Sequence, residues 1–387
     1  MYNQPFNEID KNEFLIKYWQ KAPCLFKNAF EKPPEFLSAN ELAGLSLQEE
    51  IESRLIIQSN DKPTDRQNSA CWSIEHGPFE ESRFSNLSES HWTLLVQSID
   101  TWAPITRELL ADFNFIPRWR FDDIMVSFAT DQGGVGPHAD NYDVFLVQGT
   151  GERHWRVGAK DDTSEPQTII QGMCHLNRFD PVIDVVMQPG DMLYIPPDTA
   201  HWGISIGESM GYSVGYRSIQ TSQLLALVAE KLAEKTDHHQ FFPDPYRNKA
   251  NHCNFFEDEL VNWAQNELIE LANQPELLAD LLAKQLSLSK LGVYQNDNDF
   301  NIDELTEDST VQLNEEIGVN WLYFEDKIRL NIEGESFEFD LKYEKAVKEL
   351  ASFSPISLTL FNFSPKQVDF PPVLANLINR GYLKQVD

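Results

Sequence analysis

The chain is poor in cysteine, in basic residues and in long apolar runs. Its four cysteines, Cys24, Cys71, Cys174 and Cys253, are widely spaced and form no Cys-x-x-Cys pair, so neither a disulfide framework nor a zinc ribbon is indicated. No apolar run approaches the roughly 20 residues that a membrane-spanning helix needs. The polar, acidic residues 1–11 lack the features of a secretion signal. We therefore expect a cytoplasmic protein that makes no membrane contact.

Basic side chains are scarce in comparison with acidic ones. Of 387 residues, 31 are Lys or Arg and 61 are Asp or Glu, which gives a net charge of −30 at pH 7. Such a chain repels phosphate backbones, so we expect no direct binding of nucleic acid. The same charge would attract a basic protein by long-range steering. A need for solubility alone also explains the excess of acidic residues.

The first part of the chain has the pattern of a β domain. Apolar residues make up 41% of the sequence, which is enough for substantial cores. Residues 119–217 form short alternating segments separated by Gly, Pro and Asp, a pattern that favours an antiparallel sandwich or barrel. Residues 11–21 and 91–112 are predicted as helices that pack on it. We predict a single β domain over residues 1–218.

The pattern changes to helical spacing after that domain. Apolar residues recur every three or four positions from Leu224 to Leu232 and again in 257–272 and 275–287, which predicts helices. The apolar stripe is wider than one neighbour requires, so we predict a helical dimerisation domain over 219–297. Packing of the stripe against the β domain of the same chain explains it equally well.

Residues 298–387 are predicted to form a small α+β domain after an Asn/Asp-rich linker. The strand-like segments are 321–324, 327–332 and 336–339, and the helix-like segments are 341–352 and 372–379. This mixture resembles a winged helix. Because the segment holds 17 acidic and 8 basic residues, it lacks the basic surface of a DNA-reading wing. We expect a structural or protein-contact module.

The motif that carries chemistry is GGVGPHAD at 133–140, which places His138 and Asp140 two residues apart. In a strand, side chains at that spacing point to the same face. A second motif, PGDMLYIPPDTAH, ends in His201 after a Pro-Pro turn. Two imidazoles and one carboxylate form the facial triad of a non-haem Fe(II) oxygenase, which leaves positions for a 2-oxo acid and O2. We predict that these three residues bind iron and are catalytic.

Strand alternation also suggests how a 2-oxoglutarate cosubstrate would be held. Arg153 shares a face with Trp155, and a cation on an apolar face is costly unless it binds an anion. Ser127 shares a face with Asp123 on an earlier strand, so it could bond the same anion while Asp123 receives a cationic substrate. The alternation leaves an alternative open, in which Arg153 is an exposed edge residue and Asp123 is its surface counterpart.

With these motifs the sequence resembles the JmjC-type ribosomal oxygenases, most of all their bacterial branch. The resemblance covers nearly the whole chain. It is carried by DDIMVSF at 122–128, GGVGPHAD at 133–140, YDVF at 142–145, QGTG at 148–151, WRVG at 155–158, PGDMLYIPP at 189–197 and YSVG at 212–215. One departure lies beside Arg153, where Glu152 and His154 replace a more basic turn.

The resemblance implies a JmjC or cupin-like double-stranded β-helix, followed by a helical dimerisation region and a winged-helix domain. It implies that Fe(II), 2-oxoglutarate and O2 are used to hydroxylate the β-carbon of an arginine in a basic large-subunit ribosomal protein, the sixteenth of that subunit. The implied residues are His138, Asp140 and His201 for iron, Ser127 and Arg153 for 2-oxoglutarate, and Asp123, Met125, Tyr142 and Ser213 for the substrate.

Three alternatives to arginine hydroxylation stay open. Eukaryotic relatives of similar architecture hydroxylate histidine. A JmjC demethylase would use the same iron centre, but its methylammonium pocket favours an aromatic cage, for which only Tyr142 is a clear candidate. A non-enzymatic adaptor could assemble on ribosomal proteins through an acidic face, although the intact His138, Asp140 and His201 set argues against it.

Overall fold

The computed structural model describes residues 2–59, 71–160, 167–170, 173–176, 179–234, 258–289, 309–361 and 372–386, together with 242, 256 and 306. The chain divides into two compact units, Met1–Ser218 and Ile219–Asp387. The predicted division of the second unit near residue 297 falls in a stretch that lies outside the described residues, so it stays a prediction. Within the described parts, no helix is both long and apolar enough to cross a membrane.

The first unit is built mainly from strands. They are β1 Tyr2–Asn3, β2 Cys24–Lys27, β3 Ser53–Ser59, β4 Cys71–His76, β5 Trp92–Val96, β6 Phe121–Ala129, β7 Asp143–Gln148, β8 Glu152–Lys160, β9 Gln167–Ile170, β10 Met173–Leu176, β11 Pro181–Met187, β12 Met192–Ile195, β13 Thr199–Ile206 and β14 Ser209–Tyr216. Its α-helices are α1 Lys11–Lys17, α2 Ala39–Leu45, α3 Glu81–Ser85 and α4 Ile99–Trp102.

Two facing sheets give this unit its architecture. The larger has nine strands in the order β1-β2-β12-β7-β14-β6-β5-β3-β4, and the smaller has the order β11-β8-β13. From β6 to β14 the chain crosses repeatedly between the two sheets, so that strands distant in sequence become neighbours. This winding is the double-stranded β-helix of the JmjC and cupin folds, and it confirms the predicted barrel.

Hydrophobic residues cover both faces of the larger sheet. Between the sheets, Trp155 and Val157 of the smaller one are buried with Val144 and Leu193 of the larger one. On the other face, a dense aromatic cluster packs the helices onto the sheet, with Phe14 and Tyr194 rings in edge contact at 5.1 Å. Burial of these rings removes a large apolar area from water, so both layers are held firmly against the larger sheet.

The helix predicted over residues 91–112 is wrong in its first part. Trp92–Val96 is strand β5, hydrogen-bonded between β3 and β6, and four of its five residues are buried. A short run of apolar residues buried on both faces has no amphipathic period, so it cannot be distinguished from a helix by spacing. The helix predicted over residues 11–21 also ends early, at Lys17, and Gln20 takes a left-handed backbone conformation.

The second unit contains all the helices and strands predicted for it, and several more strands. Its elements are α5 Thr221–Glu234, α6 Asp258–Ala272, α7 Pro275–Gln285, β15 Thr310–Leu313, β16 Val319–Phe324, β17 Lys327–Ile332, β18 Glu335–Asp340, α8 Glu344–Ala351, β19 Ile356–Ser357, α9 Pro372–Asn379 and β20 Leu383–Val386. Strands β16, β17 and β18 form one sheet, and β19, β15 and β20 form another.

Helix α7 is tied to the sheet of β16–β18. Arg329 on β17 is 3.0 Å from the Asp280 carboxylate on α7, and the Asn320 amide donates to the Ala283 carbonyl at 2.7 Å. Arg329 also pairs with Glu338 at 2.6 Å, so its guanidinium contacts a carboxylate on each side. A charge with two acidic partners and little exposed surface favours one fixed placement of the helix on the sheet.

Candidate active site

All the site residues predicted from the sequence border one cavity of about 280 Å³ in the first unit. They come from strands of both sheets and from the segment before β7. The residues are Asp123, Met125, Ser127, His138, Asp140, Tyr142, Arg153, His201 and Ser213. The double-stranded β-helix brings them together because its strands cross between the sheets.

The two histidines and the aspartate lie close together in the wall of the cavity. Asp140 Oδ2 lies 3.8 Å from His138 Nε2 and 3.6 Å from His201 Nε2. One potential ligand atom from each residue falls within 4.8 Å of the others. His138 and His201 form an antiparallel β-bridge, with reciprocal backbone hydrogen bonds of 3.0 and 2.8 Å. The bridge holds the segment of His138 directly beside strand β13, so that the two imidazoles are neighbours.

The hydrogen bonds of the imidazoles determine which nitrogen is available for a metal. His138 Nδ1 donates to the Gly136 carbonyl and His201 Nδ1 donates to the Thr199 carbonyl, each at 2.9 Å. Because a carbonyl only accepts, both Nδ1 atoms carry the proton, which leaves the Nε2 lone pairs directed at Asp140. Burial lowers the pKa of His201 to about 4, which keeps it neutral. This donor set fits a divalent transition metal such as Fe(II).

Arg153 also lines the cavity and is buried, with 9% of its surface exposed. Its guanidinium donates to Ser127 Oγ at 2.7 Å and to Ser209 Oγ at 2.8 Å, and to the carbonyls of the same two residues. Burial lowers its pKa to about 10, so it stays charged at neutral pH. Among the described residues no carboxylate pairs with it. A buried cation with only neutral partners can pair with an anion that enters the cavity.

The alternative in which Arg153 and Asp123 are surface residues is wrong. Asp123 is 6% exposed and lies on the cavity side of β6 with Met125 and Ser127. Ser213 on β14 stands directly opposite Met125. Asp123 Oδ2 accepts from the Ser98 backbone N–H at 3.0 Å. The period-two prediction for β6 is therefore confirmed, and it places a carboxylate in the cavity.

Tyr142 is held at the side of the cavity by Arg217. The Arg217 guanidinium lies 5.2 Å from the centre of the Tyr142 ring, and its Nε is 2.5 Å from Asp122 Oδ2. Burial and the nearby Asp140 raise the pKa of the Tyr142 phenol. The hydroxyl therefore keeps its proton and can donate a hydrogen bond.

Sequence reasoning missed several polar residues of the cavity, among them Arg54 and Gln97. These two lie on β3 and just after β5, in segments that were not predicted as strands. The one available signal was an arginine inside the apolar run SRLII at 53–57. The two residues noted as departures, Glu152 and His154, lie on β8 outside the cavity lining, and His154 bonds Asp184 at 2.5 Å.

Gly203 on β13 sets the space beside the histidines. A Cβ built on it would lie 2.7 Å from the Trp155 ring, and that ring centre is 6.1 Å from the His201 ring. We expect Gly203→Ala to lower the free energy of unfolding by about 1–3 kcal/mol, because a buried indole must shift. Chemical denaturation measures this. Gly44→Ala in α2, where the space is open, is the matched control and should not destabilise; equal losses in both variants would contradict the steric reason.

A double-stranded β-helix that presents two imidazoles and one carboxylate to a single cavity is the arrangement of 2-oxoglutarate- and Fe(II)-dependent dioxygenases. The fold and the site place this chain in that class of enzyme.

Comparisons with known proteins narrow the class to a family. A model of the JmjC domain matches residues 108–224. The ribosomal protein uL16 3-hydroxylase of Escherichia coli K12 is 33% identical over 379 residues, which is 96% of each chain. A probable ribosomal oxygenase of Haemophilus influenzae is 37% identical over 215 residues, 55% of this chain and 50% of that protein. The structure of E. coli YcfD, a ribosomal oxygenase, in complex with cobalt and 2-oxoglutarate superposes with a TM-score of 0.78 at 31% identity, covering 98% and 99% of the two chains. The chain therefore belongs to the JmjC-domain ribosomal oxygenases.

Proposed function

We propose that this enzyme uses Fe(II), 2-oxoglutarate and O2 to hydroxylate the β-carbon of an arginine in ribosomal protein uL16. The observation that carries the proposal is that one cavity holds three different binding features. These are a His-Asp-His set for a metal, a buried cation for an anion, and a buried carboxylate for a cation. The 96% overlap with the uL16 3-hydroxylase supports the same substrate.

His138, Asp140 and His201 would hold the iron, and Arg153 with Ser127 would bind the distal carboxylate of 2-oxoglutarate. When bound, Fe(II) supplies the activation of O2 that permits attack on an unactivated C–H bond. The chain itself orients the reactants. Hydrogen bonds from the imidazoles to Gly136 and Thr199 fix the metal-facing nitrogens, and the Arg153 hydrogen bonds fix the direction of the cosubstrate.

Asp123 would bind the guanidinium of the substrate arginine by a charge-assisted hydrogen bond. Met125 and Tyr142 would pack on the aliphatic part of that side chain, and Ser213 would supply a further polar contact. Their common position in the cavity supports this assignment. Such an arrangement would place the β-carbon near the metal while Asp123 holds the charged group.

The acidic charge and the helices bear on partners and assembly. A net charge of −30 favours a basic ribosomal protein over nucleic acid as the partner, and such a partner implies action in the cytoplasm.

Leu225, Leu268 and Ile269 of α5 and α6 are between 49% and 59% exposed, which supports homodimerisation through the helical region. The strand–helix mixture of residues 309–386 supports a winged helix that contacts protein.

Incubation with a uL16 peptide tests the substrate. We expect the enzyme with Fe(II), 2-oxoglutarate and air to add one oxygen atom to a single arginine, as measured by tandem mass spectrometry. An otherwise identical peptide with lysine at that position should react at least about tenfold less, because Asp123 and the pocket are matched to a planar guanidinium. The His138→Ala variant is the control for non-enzymatic oxidation.

The other outcomes of this experiment distinguish the alternatives. Oxygen on a histidine would make the enzyme a histidine hydroxylase, and formaldehyde from a methylated peptide would make it a demethylase. Metal-dependent turnover of 2-oxoglutarate with no peptide modified would contradict the substrate but keep the class. Failure to bind metal at all would favour the adaptor.

A further inference from the structure

A chain of three polar side chains lies in the wall of the cavity. It links Arg54, Gln97 and Asp123, all of which line the cavity. The Gln97 amide nitrogen donates to Asp123 Oδ2 at 2.8 Å, and its oxygen accepts from the Arg54 guanidinium at 2.6 Å. The opposite orientation of the amide would set donor against donor and acceptor against acceptor, so this orientation is the one that the neighbours require.

The chain orients the Asp123 carboxylate. Its Oδ2 accepts from both Gln97 and the Ser98 backbone N–H, at 2.8 and 3.0 Å. Gly215 is another residue of the cavity lining. A Cβ added to it would lie 3.5 Å from Asp123 Oδ1. Donors that converge on one oxygen restrict rotation of the carboxylate, and its other oxygen lies beside Gly215 of the cavity lining.

Arg54 is a competitor for the same carboxylate. Its guanidinium is separated from Asp123 by one amide group only, and its buried Nε has no hydrogen-bond partner among the described residues. A guanidinium in direct contact with a carboxylate forms a strong bidentate pair. Such a pair would occupy both oxygens of Asp123 and neutralise its charge. Gln97 stands between them and satisfies each partner with a neutral group.

We propose that Gln97 is a positioning residue, which keeps Arg54 from pairing with Asp123 and so reserves that carboxylate for the substrate guanidinium. The inference rests on the proposed function, in which Asp123 binds the substrate arginine. It adds Arg54 and Gln97 to the determinants of specificity. It also predicts that, without Gln97, Arg54 pairs with Asp123 in place of the substrate arginine.

The test compares the variants Gln97→Ala, Arg54→Met and the double variant in steady-state hydroxylation of the uL16 peptide. We expect Gln97→Ala to raise the KM for the peptide about tenfold, because a charged competitor reaches the carboxylate. The double variant should recover most of that loss, since the competitor is gone. Gln58→Ala, on β3 outside the cavity lining, is the matched control for loss of a glutamine.

Each outcome bears on the inference. Recovery in the double variant supports it, because a residue needed only for folding would not be rescued by a second deletion. An unchanged KM in Gln97→Ala, or a double variant at least as impaired as Gln97→Ala, overturns it. Asp123→Asn is measured in parallel. If its KM for the peptide equals that of the wild type, the substrate assignment fails; if its KM rises while that of Gln97→Ala does not, only the role of Gln97 fails.

Discussion

Replacement of Asp140 by alanine is expected to abolish metal binding and to lower peptide hydroxylation roughly a thousandfold or more. Asp140 is the one anionic group among the three candidate ligands and lies within 3.8 Å of both histidine Nε2 atoms. Its loss leaves two neutral imidazoles, which hold a divalent cation far more weakly, and metal-dependent catalysis contributes several kcal/mol to the barrier reduction. Cobalt(II) titration followed by visible absorption measures binding, and mass spectrometry of the peptide measures activity.

The matched control for Asp140 is Asp184→Ala. Asp184 is exposed on β11, where it pairs with His154, and it does not belong to the cavity lining. It should bind cobalt as the wild type does. If Asp140→Ala retained cobalt binding and hydroxylation at the level of this control, the ligand set would be wrong, even though the geometry of the three side chains suits a metal.

The second large effect is expected from Arg153→Met. We expect the KM for 2-oxoglutarate to rise about a hundredfold or more, because methionine supplies neither the charge nor the guanidinium donors and leaves only serine hydroxyls to meet a buried carboxylate. The thermal stabilisation that 2-oxoglutarate gives the metal-loaded wild type should disappear with it, since a ligand stabilises only the state that it binds. Kinetics at varied 2-oxoglutarate and thermal melts with and without it measure the two effects.

Two further variants test whether the effect of Arg153→Met depends on the position and on the shape of the cation. Arg156→Met removes a cation from the opposite face of β8, where Arg156 lies 5.6 Å from the Trp202 ring, and it should leave the KM for 2-oxoglutarate unchanged. Arg153→Lys keeps the charge but loses the planar fork that reaches Ser127 and Ser209, so an intermediate KM is expected. Equal KM values for Arg153→Met and Arg156→Met would contradict the assignment of Arg153 to the cosubstrate.

Local pattern was sufficient where one face of an element is buried and the other is wet. The alternation of Arg153, Trp155 and Val157 against His154 and Arg156 predicted which side chains of β8 face inward, and all three inward residues are buried. In β8 the period of two is a property of the backbone alone, so it can be read without any neighbour. His138 and Asp140 do converge, but they lie before β7 in a segment that holds an isolated bridge and no strand, so strand alternation is not the reason.

Local pattern was insufficient where burial is complete or where partners are distant. Trp92–Val96 is buried on both faces, so its spacing indicates no period, and the helix predicted there is wrong. The pairing of Gln97 with Arg54 and Asp123 depends on β3 and β6 both lying beside β5.

The sequence by itself therefore determined the β-domain and helical segments, the metal-binding motif and the inward faces of β6 and β8. Only the tertiary structure decided which strands are neighbours, and with that the residues that surround Asp123. The reason is that side-chain direction follows from local backbone geometry, whereas strand order is selected by the packing of the whole unit.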